Sequence, residues 1–218
     1  MGADDAALDR RRMVEQQLRA RGIRDERVLD AMGSIPRERF IAAGREQRRA
    51  YADEAVPIDA GQTISQPWIV ARMTELLEVQ PGDRILELGT GSGYQAAVLA
   101  ALGADVISLE RHATLADQAR ERIAVLHVPG SVEIRVADGS LGLPESGPYD
   151  GIIVTAAAPT IPVELREQLA DGGRLVIPVG PRNHQVLTQV VRHGDEWRDT
   201  PHGAVVFVPL IGPGGFPD

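Results

Sequence analysis

Apolar and polar positions along the chain change rhythm near residue 66. Beyond it, apolar runs of strand length alternate with stretches of helical period. That alternation predicts an α/β fold with a doubly wound, mostly parallel sheet. Strands are expected at 84–88, 105–110, 132–137 and 150–155, with helices at 92–102 and 113–126. A helix at 162–169 should lead to a strand at 173–179, and the runs at 185–192 and 203–209 read as antiparallel closing strands. Gly and Pro in 212–218 predict an irregular tail. Ahead of residue 66 the pattern is helical over 5–20 and stops near Gly22. Asp25 is placed to cap a short helix reaching residue 32. A further helical turn is expected at 36–41, and a loop or short hairpin at 51–64. A helix at 67–78 should stop before Pro81 and Gly82. Residues 1–80 are thus expected as a helical extension and 81–218 as the sheet domain, together one compact unit.

Within that frame the stretch 84–94 carries the chemistry. An apolar run at 85–88 is broken by Gly89, Gly91 and Gly93 before the next helix begins. A strand that turns through glycines into a helix brings bare backbone N–H groups against a small ligand. Glu87 lies just before the glycines, and the following apolar run ends in Glu110. This is the layout of an adenosine site at the carboxyl edge of a parallel sheet, where an acid at the second strand end can accept from both ribose hydroxyls. The third strand ends in Asp138 and Gly139. Asp138 can accept from the adenine amine, and Gly139 permits close backbone approach; the same dipeptide is also a common turn former. Counted from Gly91, a GxGxxG spacing reaches Gly93 and then Ala96. Alanine is allowed in the last place, so spacing alone leaves a nicotinamide cofactor open.

The end of the fourth strand, Thr155 to Pro159, offers no carboxylate, lysine or histidine. An acceptor group there must need no strong base. A carboxylate fits, since its reference pKa is near ~3.9 and it is already ionised at neutral pH. Catalysis then reduces to positioning and water exclusion, which together can supply roughly 7–11 kcal/mol. Thr63 and Ser65 provide hydroxyls just ahead of the helix at 67–78. Ser65 is equally placed to cap that helix, a role worth about 0.5–2 kcal/mol.

Composition narrows the alternatives. The 218 residues contain no cysteine, which excludes disulfides, thiolate zinc sites and thiol nucleophiles. A net charge of −8 speaks against a nucleic-acid partner. No apolar run reaches membrane-spanning length, and residues 1–12 lack the apolar core of a signal peptide. The five histidines, His112, His127, His184, His193 and His202, are scattered without ligand spacing, so no metal is expected. A cytoplasmic monomer is the expectation.

The acid–x–Gly–x–Gly–x–Gly run at 87–93 resembles motif I of the class I S-adenosylmethionine-dependent methyltransferases. Further stretches are similar, in order along nearly the whole chain, to the protein-L-isoaspartate (D-aspartate) O-methyltransferase family. They are MVEQQLRARGI at 13–23, GQTISQPWIVARMTELL at 61–77, ILELGTGSGYQAAVLA at 85–100, the Asp138-Gly139 pair, AAAPTIP at 156–162, GGRLVIPVG at 172–180 and FVPLIG at 207–212. The resemblance implies S-adenosylmethionine as methyl donor and no metal. It implies isoaspartyl residues of damaged proteins and peptides as acceptors, with a methyl ester that collapses to a succinimide and so begins repair. It also implies that Ser65 is catalytic and orients the substrate carboxylate. Gln62, Thr63 and Ile64 would close over the donor, and Glu87, Gly89, Thr90, Gly91, Glu110, Arg111, Asp138 and Gly139 would contact it. The Val208 backbone would contact the peptide. Asp59 departs from the pattern, standing where relatives often carry glycine.

Overall fold

The computed structural model describes residues 3–217. Five parallel strands form the centre of the sheet: β3 (Arg84–Leu88), β4 (Asp105–Glu110), β5 (Ser131–Val136), β6 (Tyr149–Val154) and β7 (Leu169–Val179). Two antiparallel strands, β8 (Gln185–His193) and β9 (Glu196–Val205), extend it, giving the order β5-β4-β3-β6-β7-β8-β9. The connections from β3 run to β4 and β5 on one side, whereas β6 lies on the other side of β3. The sheet therefore opens a crevice at the carboxyl ends of β3 and β6.

The central strands are buried on both faces, which is why they read as continuous apolar runs. Their side chains still alternate between two layers. Ile85, Ile153 and Val176 point into one apolar cluster; Leu86, Leu88, Ile152, Val154, Leu175 and Ile177 point into the other. Helix α4 (Tyr94–Ala101) fills the β3–β4 crossover and α5 (Ala113–Ala124) the β4–β5 crossover.

The extension packs into the first of these clusters. Helix α1 (Ala3–Arg12) continues through a wide π turn at Met13–Leu18 and a tight turn at Arg19–Arg21. It stops at Gly22, whose φ of 96° few side chains tolerate. Met13 and Leu18 share their core with Val98, Ile153 and Leu187, so residues from both halves of the chain build one interior. Asp25 caps α2 (Glu26–Ser34), accepting from the Arg27 amide at 2.9 Å. A two-residue hairpin follows, β1 (Val56–Pro57) against β2 (Thr63–Ile64), and then α3 (Pro67–Leu77). Asp59, in the hairpin turn, accepts a hydrogen bond from Gln118 of α5 at 2.8 Å, which ties the turn to the sheet domain.

The structure corrects the expected closing strands. The last strand is β9 at Glu196–Val205, not 203–209. Its charged first half lacks apolar alternation because β9 is an edge strand, exposed over most of its length. Residues beyond it leave the sheet. The Phe207 amide donates to Gln185 Oε1 at 2.9 Å, the Ala157 amide donates to the Val208 carbonyl, and the Leu210 amide donates to the Ala157 carbonyl, the latter two both at 2.8 Å. The segment thus crosses the carboxyl edge beside β6. Helix α6 is shorter than expected, at Val163–Glu167, and β7 begins earlier.

Candidate functional site

Register assembles the site. Leu88 pairs with Leu109 on one side and Val154 on the other, so Gly89, Glu110 and Thr155 emerge together at the carboxyl edge. Gly89 has φ 95°, and a Cβ there would sit 2.6 Å from Thr155 Oγ1. The Thr155 hydroxyl donates to the Gly89 carbonyl at 2.5 Å, so β6 braces the loop from behind. The Gly91 amide donates to Glu110 Oε2 at 2.8 Å, and the His112 amide donates to Oε1 at 3.0 Å. Each oxygen of the nearly buried Glu110 carboxylate is thereby fixed by a backbone donor, with acceptor capacity left for a ligand's hydroxyl groups.

Glu110 lines a cleft of about 780 Å³ together with Gln62, Thr63, Gly89, Gly91, Arg111, Asp138, Gly139 and Val208. Two carboxylates and the glycine-loop backbone set beside apolar wall residues suit a nucleoside-type ligand. Asp138 is both things its dipeptide allowed. It forms a turn, accepting from the Ser140 amide at 2.9 Å, and it lines the cleft. A second cavity of about 410 Å³ continues past Gly89, Thr90 and Gly91 to Ile64 and Ser65. A third, an open groove of about 920 Å³, runs from Ser65 along Trp68, Arg21, Phe207 and Val208. Thr63 and Thr155 border all three, and Ser65 borders the last two. The three cavities therefore adjoin at Thr63 and Thr155, with Ser65 between the second and the third.

Ser65 does not cap α3. The residue in the cap position is Gln66, and no side chain caps that helix. The half-buried Ser65 faces the two cavities instead.

Glu87 departs from the expected ligand contact. Its side chain is wholly buried and lies behind the glycine loop, lining none of the three cavities. One carboxyl oxygen accepts from Ser108, whose Oγ lies 2.5 Å from Thr90 Oγ1; the other has no partner. Burial pushes this carboxyl up to about 8, with the nearby Glu110 adding to the shift and the Ser108 bond opposing it. Its folded value lies above the ordinary 4.5, so the folded state holds a proton that the unfolded chain releases. The stabilisation is full below pH 4.5 and is lost as pH rises toward 8. Glu87→Gln keeps the neutral shape at every pH. Thermal melts of the variant and the wild type should therefore diverge in the variant's favour between pH 5 and about pH 8. Parallel melting curves across that range would show that Glu87 is ionised in the fold.

Sequence reasoning missed Thr155 as a brace, the amide of His112, and the contribution of Leu210 and Ile211 to the cleft wall. Thr155 had a signal, being the one hydroxyl at a strand end otherwise made of alanines. Among the described residues no group of His, Cys, Asp or Glu is placed to hold a metal ion.

A sequence model of the protein-L-isoaspartate(D-aspartate) O-methyltransferase family (PCMT) matches residues 9–214. The chain belongs to this family. The protein-L-isoaspartate O-methyltransferase of Methanoculleus marisnigri is 55% identical over 216 residues, covering 99% of this chain and 97% of that protein. The Methylorubrum populi protein of the same name is 53% identical over 208 residues, covering 95% and 96%. Among solved structures, a Plasmodium falciparum protein described as a protein-L-isoaspartate O-methyltransferase, in complex with S-adenosyl-L-homocysteine, superposes with a TM-score of 0.78. It is 28% identical and covers 93% of this chain and 98% of its own. Membership in this family removes the nicotinamide register that glycine spacing alone had left open.

Proposed function

We propose that the chain transfers a methyl group from S-adenosylmethionine to the free carboxylate of L-isoaspartyl and D-aspartyl residues in damaged proteins and peptides. The observation that carries this reading is that the Glu110 cleft and the open groove share Thr63 and Thr155, with Ser65 beside them on the groove and on the second cavity. The cleft fits the donor. Gly89 leaves no room for a Cβ, and Glu110 is held by two amides with acceptor capacity to spare. Glu110 would hold the ribose, Asp138 and Gly139 the adenine, and Gln62, Thr63 and Ile64 would close over the site. When bound, S-adenosylmethionine supplies an electrophilic methyl group.

The chain's own part is to aim the acceptor. An isoaspartyl carboxylate arrives ionised, and the end of β6 holds no base because none is needed. Ser65 donates its hydroxyl to one carboxylate oxygen and so points the other at the donor side. The groove along Trp68, Phe207 and Val208 takes the peptide, with the Val208 main chain as a contact. The ester product closes to a succinimide without further help, and ring hydrolysis returns a share of normal aspartate. The reading is of a cytoplasmic monomer with no nucleic-acid or membrane partner and no metal.

Transfer of labelled methyl groups to matched isoaspartyl and aspartyl peptides tests the assignment. Label should enter the isoaspartyl peptide alone. Transfer to neither would end the reading, and equal transfer to both would end its specificity. Ser65→Ala should lower kcat by about 10- to 100-fold, the worth of one hydrogen bond to a charged group, while affinity for S-adenosylhomocysteine stays within a factor of about two. Wild-type turnover in that variant would remove Ser65 from the transfer step.

A further inference from the structure

Arg37, in the helical turn Arg37–Phe40, heads the large side chains wholly removed from solvent. Buried guanidinium groups ordinarily reach a carboxylate. Among the described residues Arg37 has no such partner. Its Nε donates to the Ala50 carbonyl at 2.7 Å and its Nη2 to the Ser65 carbonyl at 2.6 Å, while Nη1 has no partner at all. The guanidinium carbon stands 4.9 Å over the ring of Tyr94. Burial pushes the group down only to about 10, so it is charged at neutral pH.

These contacts join two parts of the site. Tyr94 is the first residue of α4 and follows the glycine loop directly, and Ser65 borders both the donor side and the groove. With its carbonyl drawn inward to Arg37, Ser65 keeps its side chain on the cavities. For folding, Arg37 supplies donors to two main-chain carbonyls, at the cost of burying a charge. An apolar side chain of similar length would fill the same volume without desolvating a charge. What it could not do is fix the peptide plane at Ser65 relative to α4.

We propose that Arg37 is a positioning residue for methyl transfer, holding the Ser65 main chain in register with the donor loop. The proposal rests on the role given to Ser65 above. Misplacement of a reacting group by about 1 Å can cost on the order of 100-fold in rate.

A mutant cycle separates the two claims. The variants are Arg37→Met, Arg37→Lys, Ser65→Ala and the double variant with Met at 37 and Ala at 65. For each, the melting temperature, Kd for S-adenosylhomocysteine, and kcat and KM on an isoaspartyl peptide are measured. Arg37→Met should fold, keep Kd and KM within about threefold, and lose at least about tenfold in kcat, the signature of lost positioning. Arg37→Lys, which can reach one carbonyl but not both, should fall between. The double variant should be no slower than Ser65→Ala within about twofold, because residues acting through one another do not add.

Turnover of Arg37→Met within about twofold of wild type would overturn the proposal and leave Ser65 standing. Losses that multiply in the double variant would overturn it too, by showing that Arg37 acts elsewhere. Wild-type speed in Ser65→Ala would remove both. If Arg37→Met does not fold, Arg37→Lys decides on the same readouts, and failure of both to fold would make Arg37 a folding determinant and end the proposal.

Discussion

Gly89→Ala is expected to weaken S-adenosylhomocysteine binding by at least about 100-fold and to lower the melting temperature. Two costs combine. A side chain at φ 95° carries left-handed strain of roughly 1–2 kcal/mol. The new Cβ also meets Thr155 Oγ1 at 2.6 Å, a distance real Cβ atoms do not keep. Relief requires the Thr155 hydroxyl to abandon the Gly89 carbonyl, a further loss of about 0.5–1.5 kcal/mol. Either the loop shifts, and the cleft wall formed by Gly89 and Gly91 moves with it, or β6 gives way. Adding Thr155→Ala to Gly89→Ala should restore part of the stability, since it removes the contact and leaves the backbone strain. Calorimetric titration and thermal melts of the wild type and the two variants check this. A titration curve for Gly89→Ala that overlays wild type would show that the loop does not bear on the donor.

Glu110→Ala should raise the same Kd by about two orders of magnitude, from the loss of charge-assisted hydrogen bonds worth about 1.5–3 kcal/mol each. The effect has two sources. The carboxylate is the proposed ribose acceptor, and it also anchors the Gly91 and His112 amides, which the variant leaves without their partner. Glu110→Gln should lie between, because an amide group keeps one acceptor oxygen for one of those anchors. KM for the peptide should change little in either variant, since Glu110 borders the cleft and not the groove. An unchanged Kd in Glu110→Ala would take the residue out of the ribose site.

The centre of the sheet was legible because burial on both faces forces continuous apolar runs, and β3 lies where its run predicted, at Arg84–Leu88. Local chemistry was equally plain at Asp25, where a short polar side chain precedes a helical period. The same two-sided burial hid the orientation of Glu87. A strand with no polar face gives no sign of which layer an acid enters, and Glu87 went inward. Of the expected site residues, Gln62, Thr63, Glu110, Arg111, Asp138 and Gly139 border the cleft, while Ile64, Ser65 and Thr90 border the cavity beyond it. Strand β9 was hidden by its charges, because an edge strand need not alternate. Arg37 was hidden more deeply. Arg37 and Arg39 sit in one turn, yet the first is sealed inside and the second is exposed. Only contacts with Ala50, Ser65 and Tyr94, all distant in sequence, separate them.

Residues 206–211 belong to no long element, and irregular connections are ordinarily where families tolerate insertions and deletions. This one has less freedom. It is stitched to Ala157 by two main-chain bonds, and it forms a wall shared by the cleft and the groove. Adding or deleting a single residue there would move Val208 and Leu210 out of phase with Ala157 and reshape both chambers at once. Its length is therefore as strictly set as that of a central strand, and engineers seeking broader substrate range should vary its side chains and keep its residue count.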